Sequence, residues 1–205
     1  FFINTGYSVG KSYRRLDVER QYFDASDALT SSYTEEAYFN GLSNSPTLRT
    51  GFDYFLSPKN TFGVIITTGL SNGNTNNPIT STIKDGTGIP DSIILSDNNT
   101  KSKFRNVSIN LKHTHQFYNL GRNITFDADY LRYDNVQDQD FQNTAYNAAG
   151  TTSLLQNITA NVPTKVNIYA VKSDYTYPLG HKAELSAGVK ASFVNTDNSA
   201  NYFNV

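Results

Sequence analysis

The sequence of 205 residues contains no cysteine. That excludes a disulfide scaffold, a thiolate metal site and a cysteine nucleophile. It contains no methionine either and opens on Phe1-Phe2-Ile3, already in a strand-like pattern. No positively charged start leads into an apolar core, so no signal peptide is visible and an internal stretch of a longer precursor is expected. No run of 18 apolar residues occurs, so no helix crosses a bilayer. Barrel strands carry a weaker, alternating signal and are untouched by that absence. Charge is scarce as well. Only 17% of residues are charged and the net charge is -1, which leaves no basic field to hold nucleic acid. Apolar residues reach only 38%, low for a water-soluble globule.

Neutral polar residues fill the gap: Asn, Thr, Ser, Tyr and Gly. Aromatics make up 13%, too many for a disordered chain. Such a composition suits strands with one wet face and one apolar face. The order of residues agrees. Leu185, Ala187, Val189, Ala191 and Phe193 alternate with Glu184, Ser186, Gly188, Lys190 and Ser192. Period two puts the two sets on opposite faces of one strand. Ile124, Phe126, Ala128 and Tyr130 alternate with Asn123, Thr125, Asp127 and Asp129. Val107, Ile109 and Leu111 alternate with Asn106, Ser108, Asn110 and Lys112. Phe62, Val64, Ile66, Thr68 and Leu70 follow the same rule, with Ile65 interrupting the polar side.

Three tight turns punctuate these runs. Ser57-Pro58-Lys59-Asn60 supplies Pro with its fixed φ and Asn, which tolerates φ > 0. Asn119-Leu120-Gly121-Arg122 and Leu179-Gly180-His181-Lys182 each supply a glycine. A hairpin must keep its apolar residues on one side. A three-residue loop at 58–60 pairs Leu56 with Phe62 and Tyr54 with Val64. A four-residue loop at 119–122 pairs Phe117 with Ile124, and a three-residue loop at 179–181 pairs Tyr177 with Ala183. Between the tight turns lie polar segments at 24–46, 71–102, 134–162 and 195–204. Asp85-Gly86-Thr87-Gly88 and Ala148-Ala149-Gly150 read as the tips of two hairpins on the far side.

Short turns on one side and long polar excursions on the other are the asymmetry of outer-membrane barrels. The expected fold is therefore all-β: an antiparallel up-and-down meander of about seven long strands, at 1–22, 45–57, 61–84, 91–118, 123–147, 153–178 and 182–204, forming part of a large transmembrane barrel. Arms of roughly 25 residues exceed the 9–11 a tilted crossing needs, so the strands continue beyond the bilayer on the outer side. Seven is odd, bacterial single-chain barrels have even counts, and an open sheet leaves raw edges. Both points agree with a fragment. Tyr54, Phe62, Phe117, Tyr175 and Tyr177 sit beside the tight turns, where an interfacial girdle belongs.

Three segments resemble a known family. Asp53-Tyr54-Phe55-Leu56-Ser57-Pro58-Lys59-Asn60-Thr61, Asp129-Tyr130-Leu131-Arg132-Tyr133-Asp134-Asn135 and Asp174-Tyr175-Thr176-Tyr177-Pro178-Leu179 are similar to the outer-membrane β-barrels related to TonB-dependent receptors. The likeness runs along nearly the whole chain, 1–205. It implies a barrel of about 22 strands, an N-terminal plug, energy supplied through TonB, and import of a scarce or bulky nutrient across the bacterial outer membrane. The motifs are strand and turn signatures and name no ligand.

Two sets of site residues follow from the alternation. Phe62, Val64, Ile66, Val107, Ile109, Leu111, Ile124, Phe126, Leu185, Val189 and Phe193 are expected to face outer-membrane lipid. Asn110, Lys112, Asp127, Asp129, Lys172, Asp174, Glu184 and Lys190 are expected to face the lumen, because a Lys or Arg facing lipid at midplane costs about 2–4 kcal/mol. The lumen charges either line a substrate path or bond to each other and to a plug.

Nothing assembles a catalytic, cofactor or metal site, so no enzyme is expected. His113-Thr114-His115 sets two imidazoles about 7 Å apart on one strand face, but a structural zinc site wants four ligands. Asp134-Asn135-Val136-Gln137-Asp138-Gln139-Asp140 resembles a calcium loop without the central Gly and terminal Glu. Sequons at Asn98, Asn106, Asn123 and Asn157 are chance matches in an Asn/Thr-rich chain. The competing functional reading is a soluble or cell-surface β-rich binding or adhesion module. Such a module would turn every 8–12 residues, more often than this chain does. An outer-membrane barrel enzyme would need a Ser/His or acid/His constellation that is not found.

Overall fold

The computed structural model describes residues 1–118, 121–180 and 183–205. These form strands and turns only. In chain order the strands are β1 (Phe2–Phe23), β2 (Leu29–Ser57), β3 (Asn60–Asp85), β4 (Pro90–Gln116), β5 (Asn123–Asn147), β6 (Thr152–Pro178), β7 (Glu184–Asn198) and β8 (Asn201–Asn204). Each of β1 to β6 pairs antiparallel with the next, in the spatial order β1-β2-β3-β4-β5-β6-β7. β8 pairs with β6 in the register already set by β7, so it continues the same strand after a break at Ser199-Ala200. Pro163 stands opposite that break. Its carbonyl accepts from the Ser199 N–H at 3.2 Å, but a proline returns no N–H to the ladder. The β2–β3 ladder likewise skips Pro46, jumping from Asn44↔Asn72 to Thr47↔Gly69.

β2 starts at Leu29, not at 45. The polar segment expected at 24–46 is nearly all strand, because its Ser, Thr, Glu and Asn residues sit on a two-sided sheet that needs few apolar side chains. Three far-end hairpins close at 24–28, 85–89 and 147–151, all with one construction. A side-chain oxygen at the first position accepts from the backbone N–H groups two and four residues on: Asp24 from Ser26 and Ala28 (2.8 and 3.0 Å), Asp85 from Thr87 and Ile89 (2.9 Å each), and Asn147 from Ala149 and Thr151 (3.1 and 2.9 Å). The fourth position has positive φ in each: Asp27 at 61°, Gly88 at 87° and Gly150 at 74°. That is a three-residue hairpin loop with a left-handed closing residue. The tips expected near Gly86 and Gly150 are present. The tip at 24–28 gives no sequence signal because Asp27 stands where the others carry glycine.

The tight-turn registers differ from expectation by two. Tyr54 pairs with Phe62 and Phe52 with Val64, because Ser57↔Asn60 closes a tighter loop and the ladder then shifts at Leu56. Ile124 pairs with His115 rather than Phe117, and Tyr177 pairs with Leu185 rather than Ala183. A shift of two leaves every side chain on its expected face. Asn119, Leu120, His181 and Lys182, which belong to two of these turns, lie outside the described residues.

The sheet is one layer. Among the described residues only Ala37 and Ala160 are buried apolar side chains. A single sheet with an uncovered apolar face is not stable in water, so the covering must come from outside these strands.

Candidate functional site

The six ladders can be followed across the sheet as rows. One row runs Ile3, Thr50, Ile66, Ile109, Tyr130, Tyr169, Phe193. A neighbouring row runs Tyr54, Phe62, His113, Phe126, Ser173, Val189. Val64 and Leu111 share the row between them; Val107 lies one row beyond Ile109, Ile124 faces His115, and Leu185 faces Tyr177. All eleven residues read from sequence as lipid-facing thus lie on one face. They are uncovered: Phe126 is 47% exposed, Leu185 57%, Val189 70% and Phe193 66%. Ile3, Phe52, Tyr130, Tyr169 and Val171 belong to the same face. Tyr130 stands in the alternating run already read along β5, though outside the lipid-facing set; the same count along β1, β2 and β6 contains the other four.

The other face carries all eight lumen candidates. A row runs Asp53, Gly63, Lys112, Asp127, Lys172, Lys190. Beside it Asn110 faces Asp129, Asp174 lies on β6 one row away, and Glu184 faces Pro178. Two contacts tie side chains of this face together. Asn110 Nδ2 donates to Asp129 Oδ1 at 2.7 Å, and Lys172 Nζ lies 2.5 Å from Asp174 Oδ2. Gly63 leaves room for Asp53, whose Oδ1 would sit 2.8 Å from a Cβ at that position.

The apolar face is a band, and its margins slant. On β7 the band ends at Phe193 and Asn195 is the next residue on that face; on β1 it ends at Val9 and Lys11 follows. The row through Phe193 reaches β1 at Ile3, six positions short of Val9, after six strand-to-strand steps. The near margin moves equally. It runs from Phe62 on β3 to Leu185 on β7, and the row through Phe62 arrives at Val189, four positions away after four steps. One residue per step is roughly 3.3 Å of rise against 4.8 Å of strand spacing, a slope of about 35°. Strands in closed transmembrane barrels tilt by about 35–45°. On β3 the band covers Phe62 to Leu70, roughly 30 Å of strand and roughly 25 Å of height once tilted, the height of the apolar belt of such barrels.

Aromatic and imidazole groups edge the near margin. Phe62 stacks on His113 with centroids 4.3 Å apart. Asn60 Oδ1 lies 3.3 Å from His113 Nε2 and 2.8 Å from His115 Nδ1. Both imidazoles are thereby held by one amide. The Arg122 guanidinium lies over Phe117, Tyr175 and Tyr177 at 4.4, 5.6 and 5.8 Å. Aromatic rings and amphipathic side chains at this level are those of a membrane–water interface. The segment 134–140 is part of β5 and not a loop. Its acids project on one face and Asn135, Gln137 and Gln139 on the other, so it cannot wrap a cation as a calcium loop does.

No curated protein matches this chain. Residues 115–205, from the end of β4 through β8, match the outer membrane protein beta-barrel family, and with the geometry above this assigns the chain to the outer membrane.

Proposed function

We propose that this chain is part of the wall of a large closed barrel related to TonB-dependent receptors, and that the barrel imports a scarce or bulky nutrient. The carrying observation is the slanted apolar band on one face, backed by charge on the other. β1 and β7 form the two edges of the sheet, and further strands, up to the roughly 22 of such barrels, would pair with them. A lumen lined by Asp53, Lys112, Asp127, Lys172 and Lys190 suits a water-filled or plugged interior. Strands of 25–29 residues in β2 to β6 exceed the crossing length of about 9–11, so they carry the wall outward, where bulky ligands are captured. The plug, the TonB contact and the nutrient rest on the family resemblance. The lumen charges are read as a wall and a path, not as catalysts.

The test uses the full-length gene product. It should fractionate with the outer membrane and migrate differently on gels before and after boiling; recovery as a free soluble monomer sinks the barrel. Import is tested separately, by binding of the detergent-purified protein to the periplasmic domain of TonB. A heat-modifiable barrel that ignores TonB keeps the wall and removes driven import.

A further inference from the structure

Charge is placed differently on the two faces of the outer half of the sheet. Beyond Lys112 on β4, Asp129 on β5 and Lys172 on β6, no lumen-side residue among those described is Asp, Glu, Lys or Arg. The alternate residues of the same stretches, on the opposite face, include Arg105, Lys103, Lys101, Asp134, Asp138 and Asp140. Water solvates charge equally well on either side, so solvent alone does not sort charge in this way.

Four successive rows carry the neutral wall across β1 to β6. They start at Gly6, Ser8, Gly10 and Ser12 on β1 and end at Val166, Thr164, Val162 and Ala160 on β6. The second row crosses from β2 to β3 through a hydrogen bond of 2.8 Å from the Ser45 hydroxyl to that of Ser71. The surface measures roughly 20 by 24 Å. It begins at the outer margin of the apolar band, since Asn106 stands between Val107, in the band, and Arg105, beyond it. Asn106 faces Tyr133, Phe104 faces Asn135 and Ser102 faces Gln137. The Phe104 and Tyr133 rings pair with centroids 6.0 Å apart and planes at 28°. Gln139 Nε2 donates to Gln137 Oε1 at 3.2 Å, which leaves the Gln137 amino group and the Gln139 carbonyl for another partner. Gly69 keeps the wall low beside Asn106, whose Oδ1 would sit 2.6 Å from a Cβ at that position.

We propose that this wall binds a neutral oligosaccharide, and that the imported nutrient is of that class. The proposal rests on the barrel-and-import reading and names its substrate. A sugar ring presents hydroxyls at its rim and an apolar C–H face. Side-chain amides both donate and accept and match the rim; the Phe104–Tyr133 pair matches the C–H face. A charged metal chelate or a nucleotide would leave its charge unpaired here, at a cost in desolvation. A peptide in extended form recognises a free sheet edge through its backbone. The backbone of β2 to β6 is already laddered on both sides, so these strands offer side chains only.

The experiment uses the full-length protein purified in detergent. It is screened against immobilised linear α-glucans, β-glucans, mannans and xylans, and the best binder is titrated by calorimetry. One neutral series should bind, with an affinity unchanged between low and high salt because no ion pair is made. Tyr133→Ala and Phe104→Ala should each weaken binding by more than about tenfold. Gln137→Ala should weaken it about fivefold, the loss of one hydrogen bond. All variants are scored for heat-modifiable migration, and Gln137→Ala keeps the test open where a ring variant does not fold. Binding of no neutral glycan, equal affinity in the folded variants, or affinity that collapses as salt rises overturns the proposal. So does preference for an uncharged Ser/Asn hexapeptide or for an iron(III) catecholate over every glycan, and it names the other class. The failures are distinguishable. Absence of heat-modifiable migration in the unaltered protein sinks the barrel, and indifference to TonB sinks driven import. A TonB-binding barrel that ignores neutral glycans sinks this proposal alone.

Discussion

Tyr130 on β5 and Tyr169 on β6 are direct cross-strand partners on the lipid-side face, with ring centroids 5.0 Å apart and planes tilted by 32°. Tyr169 also approaches Phe193 at 6.5 Å, so three neighbouring strands share an aromatic run at the far margin of the band. Aromatic pairs of this geometry contribute about 0.5–1.5 kcal/mol beyond the area they cover. Tyr169→Ala should lower unfolding stability in detergent by more than about 1 kcal/mol, while Tyr169→Phe keeps most of it. Equal losses for the two variants would show that the hydroxyl, not the ring, matters.

Ile109 and Asn110 are sequence neighbours on opposite faces, and they separate the two sides of the wall. Ile109→Lys should impair folding into lipid vesicles by about 2–4 kcal/mol, as expected for a cation near midplane on the lipid side. Asn110→Lys places its cation opposite Asp129 and should be tolerated far better. Comparable folding yields for the two variants, or the reverse order, would invert the assignment of faces.

The turn acids respond to pH. The Ser26 hydroxyl, then the Ala28 and Ser26 backbone N–H groups, hold the Asp24 carboxyl below its ordinary 3.8. The Thr87 hydroxyl, then the Ile89 N–H, do the same for Asp85. A carboxyl whose pKa is depressed in the folded state adds stability that is present above its unfolded pKa and is lost as pH falls through the folded value. The tips at 24–28 and 85–89 should therefore open in acid below about pH 4, read as faster hydrogen exchange, while the tip at 147–151, built on Asn147, does not. Asp24→Asn should keep the turn and remove its pH response. Parallel opening of all three tips would count against this account.

Asp27 holds the left-handed position that Gly88 and Gly150 hold in the other two tips. A non-glycine residue there costs about 1 kcal/mol, less for Asp than for most. Asp27→Gly should leave stability unchanged or raise it slightly, and Gly150→Val should lower it and increase proteolysis at 147–151. A stable, protease-resistant Gly150→Val variant would mean that the turn relaxes into another form.

Much of the wall was legible in the sequence because a strand's side-chain period is two, whatever lies beside it. Leu185, Val189 and Phe193 on β7 announce one face without reference to any neighbour. Exact pairing was less legible. Tyr54 faces Phe62 rather than Val64 because the ladder shifts at Leu56, and a bulge of this kind has no fixed sequence signature. The strand from Leu29 was hidden for a different reason. Residues 29–46 are polar on both faces, and polar strands outside the apolar belt resemble loops when composition is the guide.

The sequence alone determined the alternation, the tight turns and the separation of Ile109 from Asn110, since each depends on local backbone geometry. Only the assembled sheet decided that the apolar band slants by one residue per strand, and that Ser12 on β1 shares a row with Gln139 on β5. Those relations depend on the register between strands distant in the chain. Register is fixed by bulges, prolines and closing turns acting together, so no single stretch of sequence contains it.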